Sequence, residues 1–291
     1  MIPSKNTISS SIIDRMSQLS FKEGVSDFDV RLFKSEAKKI LNINPVQYWI
    51  ITGAIACLEK NVPDMHHAHK NAIKLSNGSS LALSNYSSSL LRIGDLGSAC
   101  AYAMDAQKND PADMRWLHYA IFDTNFFGRF KETQKLIETW DVAHKHSSHE
   151  LKARVDKSVA FMDKHSIDES HLSEIISVIS GILNTEIPFG WTPTTFDNSD
   201  ESLFPTVFEF EIFKENADIA GLFTQIEDAL TECTVPSRVR SLFVYELYSK
   251  EMSTFLDLVD DEIDKNTESI SAPTSEETAL IKHLIRNVKA D

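Results

Sequence analysis

The stretch that decides the fold is Arg92–Pro111, RIGDLGSACAYAMDAQKNDP. Gly94 stands near its start, Ala99, Ala103 and Ala106 recur at helical spacing, and Pro111 closes it. A glycine releases a chain from a helix with a positive φ at little cost. Small residues on one face of the following helix let a second helix lie close. Together they read as the turn and second arm of a helical hairpin. A shift by 34 residues tests for repetition. Forward, Gly94 falls on Gly128, Ala103 on Ile137 and Ala106 on Trp140. Backward, Ala106 falls on Ala72, Leu83 on Trp49 and Ser87 on Gly53. Three tandem units without gaps follow, 46–79, 80–113 and 114–147.

The pattern resembles the tetratricopeptide repeat family. In that family a small residue follows the turn between helix A and helix B, small residues recur on helix B, and a proline closes the unit. Three departures stand out. Lys60 occupies the turn position of the first unit, Thr133 and Trp140 occupy usual alanine positions of the third, and the third has no clear closing proline. A lone hairpin cannot bury both faces, so such units stack on their neighbours. The resemblance implies that helix A of each unit lines a concave surface. It assigns to that surface Ile50 from the first unit, Leu81, Asn85 and Arg92 from the second, and Arg115, His118, Tyr119, Phe122 and Phe126 from the third. Leu81, Phe122 and Phe126 are its apolar anchors; Phe122 and Phe126 read equally well as inter-helix core. Ile50 and Ala54 stand where some relatives begin a carboxylate clamp, so capture of a free C-terminus is not expected.

Outward from the repeats, residues 1–45 read as capping helices, with Phe28, Leu32 and Phe33 at helical spacing. After the third unit come two more helical patterns, a degenerate fourth repeat that carries the helical domain from 46 to 184. In the second, Leu172, Ile175, Ile176, Ile179 and Leu183 form one apolar stripe. Residues 185–205 hold three prolines and read as a linker. TVFEFEIF alternates Phe208, Phe210 and Ile212 with Glu209 and Glu211, as a half-buried strand does. A helix capped at Asn216 follows, and LFVYELY reads either as a second strand or as the start of a long helix. ETALIKHLIRNVK reads as a last helix after a polar loop. The fold class expected is mainly α: a tetratricopeptide-like solenoid followed by a small, acidic α+β region over 185–291.

Of the 291 residues 42% are hydrophobic, ample for a packed core. The formal net charge is −14, and 185–291 carries 8 of the 29 Lys and Arg against 22 of the 43 Asp and Glu. That imbalance repels phosphate backbones and argues against nucleic acid as a partner. No apolar run has the roughly 20 residues of a membrane span, and no signal-like core opens the chain. Cys57, Cys100 and Cys233 are few, odd in number and far apart, which suits free thiols in the cytoplasm.

Four groups invite a chemical reading. His66, His67 and His69, and His144, His146 and His149, lack the converging ligand set of a zinc site and read as solvated histidines. Glu209, Glu211 and Glu246 read as a solvated strand face, and the acidic run 257–264 lacks the spacing and central glycine of a calcium loop. Common nucleotide-binding, hydrolase and metalloprotease motifs are missing from the sequence, and neither cofactor nor metal is expected. The leading function is an adaptor or client-holding chaperone that binds a protein segment in the groove. An antitoxin- or immunity-like protein that covers a basic target with its acidic region is the alternative. An enzyme with a site in 205–265 is the third.

Overall fold

The computed structural model describes Ile12, Arg15, Met16 and residues 25–144, 147–188, 191–198, 202–213 and 217–249. After α1 (Asp27–Ile40), six helices form three successive pairs: α2 (Pro45–Leu58) with α3 (Val62–Leu75), α4 (Ser80–Arg92) with α5 (Leu96–Asn109), and α6 (Met114–Phe126) with α7 (Phe130–Ala143). The 34-residue period is kept to the residue at three of the four helix ends, the starts of the first arms being 45, 80 and 114. First arms end at 58, 92 and 126, second arms start at 62, 96 and 130, and second arms end at 75, 109 and 143.

The turns explain that regularity. Lys60, Gly94 and Gly128 have φ of 60°, 74° and 74°. In each turn the same two backbone bonds recur. The N–H groups of Asn61, Asp95 and Arg129 donate to the carbonyls of Ala56, Leu90 and Thr124, and those of Lys60, Gly94 and Gly128 donate to Cys57, Leu91 and Asn125. These bonds satisfy carbonyls that a helix end leaves free. Asn61 and Asp95 then cap the next helix, their side chains accepting from the N–H of Asp64 and Ser98. Lys60 thus adopts a glycine's conformation and bears a steric cost that glycine escapes.

Equivalent positions are buried in every pair. Met65, Ala99 and Thr133 share one such position, and His69, Ala103 and Ile137 another. The large His69 ring fits because Gly53 faces it: a Cβ on Gly53 would lie 2.6 Å from the imidazole. Helix α1 covers the front of the array, burying Val30, Phe33, Ala37 and Ile40 against Ile51, Ile55 and Leu58 of α2.

Helices α8 (Lys152–His165) and α9 (Glu169–Glu186) leave the period. The left-handed turn residue between them is Ser166, four residues later than the repeat would place it. The apolar stripe of α9 is buried, and the helix lies across the turns of the second and third pairs. Leu172 and Ile176 meet Gly128, and Asn184 meets Gly94.

A three-stranded sheet completes the fold: β1 (Trp191–Asp197), β2 (Thr206–Ile212) and, after α10 (Ile219–Glu232) and the short α11 (Ser237–Arg240), β3 (Val244–Ser249). The order is β1-β2-β3. β1 runs antiparallel to β2 with Trp191 opposite Ile212, and β3 runs parallel to β2 with Val207 opposite Val244. LFVYELY is therefore a strand. The segment taken as a linker over 185–205 contains β1, whose Pro193 is tolerated because an edge strand need not donate on both sides. The cap of α10 is Asp218, which accepts from the Gly221 N–H; Asn216 lies outside the described residues.

The sheet is joined to the helices by one core that runs from Leu96 to Leu247 and includes Phe130, Phe161, Trp191, Phe204, Phe208 and Phe210. Phe204 lies 5.4 Å from Phe130 and 5.7 Å from Phe161. At the edge of the sheet Arg154 donates to the Thr195 carbonyl (2.8 Å) and hydroxyl (3.0 Å), and Asn125 donates to the same hydroxyl. The molecule is mainly α with a small α+β portion at its C-terminal side. Among the described residues no helix is long and apolar enough to cross a membrane. The acidic run 257–264 and the last helix expected from the sequence lie outside the described residues.

Candidate functional site

The first arms of the three pairs differ from the second arms in charge. Helix α2 has no charged residue, α4 has only Arg92, and α6 has Arg115 and the buried Asp123. Second arms carry most of the charge, as in α7 with Lys131, Glu132, Lys135, Glu138 and Asp141. The face offered by the first arms is thus close to neutral in a protein of formal charge −14.

On α4, Leu81 is 38% exposed and Arg92 is exposed; Asn85 is half-buried and its amide donates to the Leu81 carbonyl. On α6, Tyr119 is 48% exposed, while His118, Phe122 and Phe126 are half-buried, the two phenylalanine rings 6.1 Å apart. Arg115 is exposed but engaged. Its Nε donates to both Asp113 oxygens at 3.0 and 3.1 Å, and its guanidinium lies 5.1 Å from the Trp116 ring. That pairing, chiefly through its side-chain hydrogen bonds, holds the Asp113 carboxyl below the usual range. A shallow concavity lined by Asn77, Leu81, Asn109, Asp113, Arg115 and Trp116 joins the starts of α4 and α6. Ile50 does not belong to this surface. It is 1% exposed and packs with Ala72 and Ala82, because its side of α2 faces the next helices of the stack.

The third pair carries a cluster that the sequence reading missed. His149, just before α8, is buried among His118 and Phe122 of α6 and Trp140 of α7. Its Nε2 lies 3.2 Å from His118 Nδ1, and its Nδ1 accepts from the Leu151 N–H at 3.2 Å. His144 stacks on Trp140 with ring centroids 4.1 Å apart. Reading these histidines as solvated is therefore corrected for His149, and His146 lies outside the described residues. The first histidine group also needs correction. His66 bonds the Tyr86 hydroxyl at 2.7 Å, and the fully buried His69 bonds the Ser89 hydroxyl at 2.8 Å and stacks on Tyr86. Burial pushes the His69 imidazole down to about 4. Only His67 is exposed. The 34-residue shift held the signal for His69, since it maps that residue onto Ala103 and Ile137.

A second missed group is Asp123, buried between the second and third pairs. Its Oδ2 lies 2.6 Å from the Ser87 hydroxyl, and the Ala99 carbonyl, 2.8 Å from the same hydroxyl, competes for its single proton. Burial raises this carboxyl to about 6, opposed by the Ser87 bond. On the outward face of the sheet, Glu209 stands beside Glu246 and between Thr194 and Glu246 in register. Burial, and then the charges of Glu246 and Glu211, raise the Glu209 carboxyl, and burial raises that of Glu246. Cys57 and Cys100 are buried free thiols and Cys233 a half-buried one. Among the described residues no group of three or more His, Cys, Asp or Glu is arranged to hold a metal ion.

Fold and surface together define a run of consecutive helices packed in neighbouring pairs, with a small sheet closing one side. Compared with known proteins, the chain matches no family model, no curated sequence and no solved structure.

Proposed function

We propose that this protein is an interaction scaffold of the tetratricopeptide type, an adaptor or client-holding chaperone that keeps a segment of a partner protein against the first arms of its three hairpins. The observation that carries the reading is the face bearing exposed Leu81 and Tyr119 beside half-buried Phe122 and Phe126, on first arms that leave most of the charge to the second arms. Exposed large apolar and aromatic groups set among polar ones mark interaction surfaces, and aromatic anchors carry much of the binding energy of interfaces. Because Arg115 is already paired with Asp113, the favoured ligand is an uncharged stretch with spaced apolar side chains rather than an acidic one. Free cysteines support a reducing, cytoplasmic setting.

One observation favours a second reading, in which the acidic region covers a basic target as an antitoxin or immunity protein would. Glu209 and Glu246 stand side by side on the sheet, and a cation between them would relieve their repulsion. A photo-crosslinking amino acid placed at Tyr119, and separately at Thr194, separates the two in the full-length protein expressed in its own host. The scaffold reading expects one recurring partner from position 119 and none from 194. The same partner from 194 alone would transfer the function to the sheet.

A further inference from the structure

We propose that His149 is a pH-sensitive plug on the binding face of the third hairpin, withdrawn when the His118–His149 pair takes up a proton, so that Phe122 and Trp140 become open to a partner. The hydrogen bonds fix how the plug is held. Leu151 N–H donates to His149 Nδ1, so that nitrogen carries no proton, and the neutral ring must carry its proton on Nε2. Nε2–H then donates to His118 Nδ1 at 3.2 Å, and the proton of neutral His118 is left on Nε2. Neither ring can accept a second proton without loss. A proton on His149 Nδ1 removes the acceptor of the Leu151 N–H. A proton on His118 Nδ1 points at the His149 Nε2–H across 3.2 Å. Either event breaks one of the two bonds that seat the ring, and a doubly protonated pair adds like-charge repulsion.

The groups around the pair do not cancel this. Asp141 of α7 lies near His149 but is already engaged by Lys152 at the start of α8. Glu150 lies beside His149 in sequence, and His144, the residue that follows α7, stacks on Trp140. The Asp141 and Glu150 charges favour the protonated form of His149, yet burial and the neighbouring His118 oppose it and prevail, so its imidazole sits below the usual range. Protonation therefore acts by disrupting the seat rather than by tightening it. What becomes accessible is an aromatic patch: His149 now touches Phe122 at a ring distance of 5.6 Å and Trp140 at 5.1 Å.

Nitrogen-15 spectra of the imidazoles and amide hydrogen exchange of Leu151, followed on the full-length protein from pH 7.5 to 5.0, test the plug. The expected result at pH 7.5 is a neutral His149 with its proton on Nε2. Between pH 6.5 and 5.0, Leu151 should lose at least tenfold of its exchange protection, corrected for the intrinsic rate, while Ala103 in α5 keeps its own. A proton on Nδ1 at pH 7.5, or unchanged Leu151 protection down to pH 5.0, overturns the proposal. The link to partner capture rests on the groove reading. These measurements use no partner, so their failure removes the plug and leaves the groove standing, whereas absence of crosslinking from position 119 does the reverse.

Discussion

Asp123→Asn is expected to make the protein more stable at pH 7, by about 3 kcal/mol, and to change the shape of its stability curve. The Asp123 carboxyl is raised from 3.8 to about 6 by burial. A raised acid favours the folded state most when neutral. Its contribution is complete below pH 3.8 and is lost as pH rises through 6, and one pKa unit corresponds to about 1.4 kcal/mol. Asparagine has the same shape, can donate to the Ser87 hydroxyl, and leaves that hydroxyl free to donate to the Ala99 carbonyl. His69 works in the opposite sense over the same interval. Its imidazole is lowered from 6.5 to about 4, so its contribution is complete above 6.5 and is lost as pH falls through 4. The two roughly offset each other in the natural sequence. Denaturant titrations at pH 7, 5.5 and 4 should therefore show a shallow profile for the wild type and a steep acid loss for Asp123→Asn. A variant no more stable at pH 7 than wild type would mean that the carboxylate is ionised in the fold at little cost.

Gly94→Ala is expected to destabilise the protein by about 2–5 kcal/mol, from two separate causes. The residue has φ of 74°, where a Cβ costs roughly 1–2 kcal/mol. That Cβ would also lie 2.3 Å from both Asn184 Oδ1 and Trp191 Cζ2, and overfilling a packed site costs about 1–3 kcal/mol. Trp191 donates its indole N–H to Asn184 at 3.1 Å, so the clash falls where α9 and β1 meet the repeats. Lys60→Gly is the control, because it changes the equivalent position in the opposite direction. Lys60 is exposed, and replacing it removes the left-handed penalty, a gain of about 1 kcal/mol. Melting curves in which Gly94→Ala matches wild type would show that α9 does not press on this turn.

The repeat was legible because its cause is local. A turn residue, a cap and small residues at fixed offsets recur at 34, and the helix ends follow them to the residue. Even Lys60, which breaks the rule in composition, obeys it in conformation. The strand at 206–212 was legible for the same reason, since alternation of Phe208, Phe210 and Ile212 with glutamates is a property of the segment alone. What escaped depended on distant partners. Thr192, Pro193 and Thr194 form a strand because β2 pairs with them and because Arg154 and Asn125 hold the neighbouring Thr195. The stripe on α9 announced an amphipathic helix but not that it would fold back over Gly94 and Gly128. The exposure of the candidate face was legible only in part. Leu81 and Tyr119 are exposed as the resemblance implies, whereas Ile50 is enclosed by neighbouring helices, and the pairing of His118 with His149 is invisible to any periodicity.

On the proposed function, the first arms of the hairpins, and not the acidic sheet, hold the partner. The direct measurement is the affinity of the crosslinked partner for full-length wild type, Leu81→Ala and Tyr119→Ala, each at low and at moderate salt. Both side chains are exposed, so truncating them should leave the fold intact. Loss of an aromatic or apolar anchor costs about 1–2 kcal/mol or more at an interface, a tenfold weakening or thereabouts. Apolar contacts respond little to ionic strength, whereas exposed charge pairs are screened within about 8 Å at physiological salt. Weaker binding by both variants and nearly the same wild-type affinity at the two salt concentrations are expected. Unchanged affinity in both variants, together with a steep fall with salt, would contradict it.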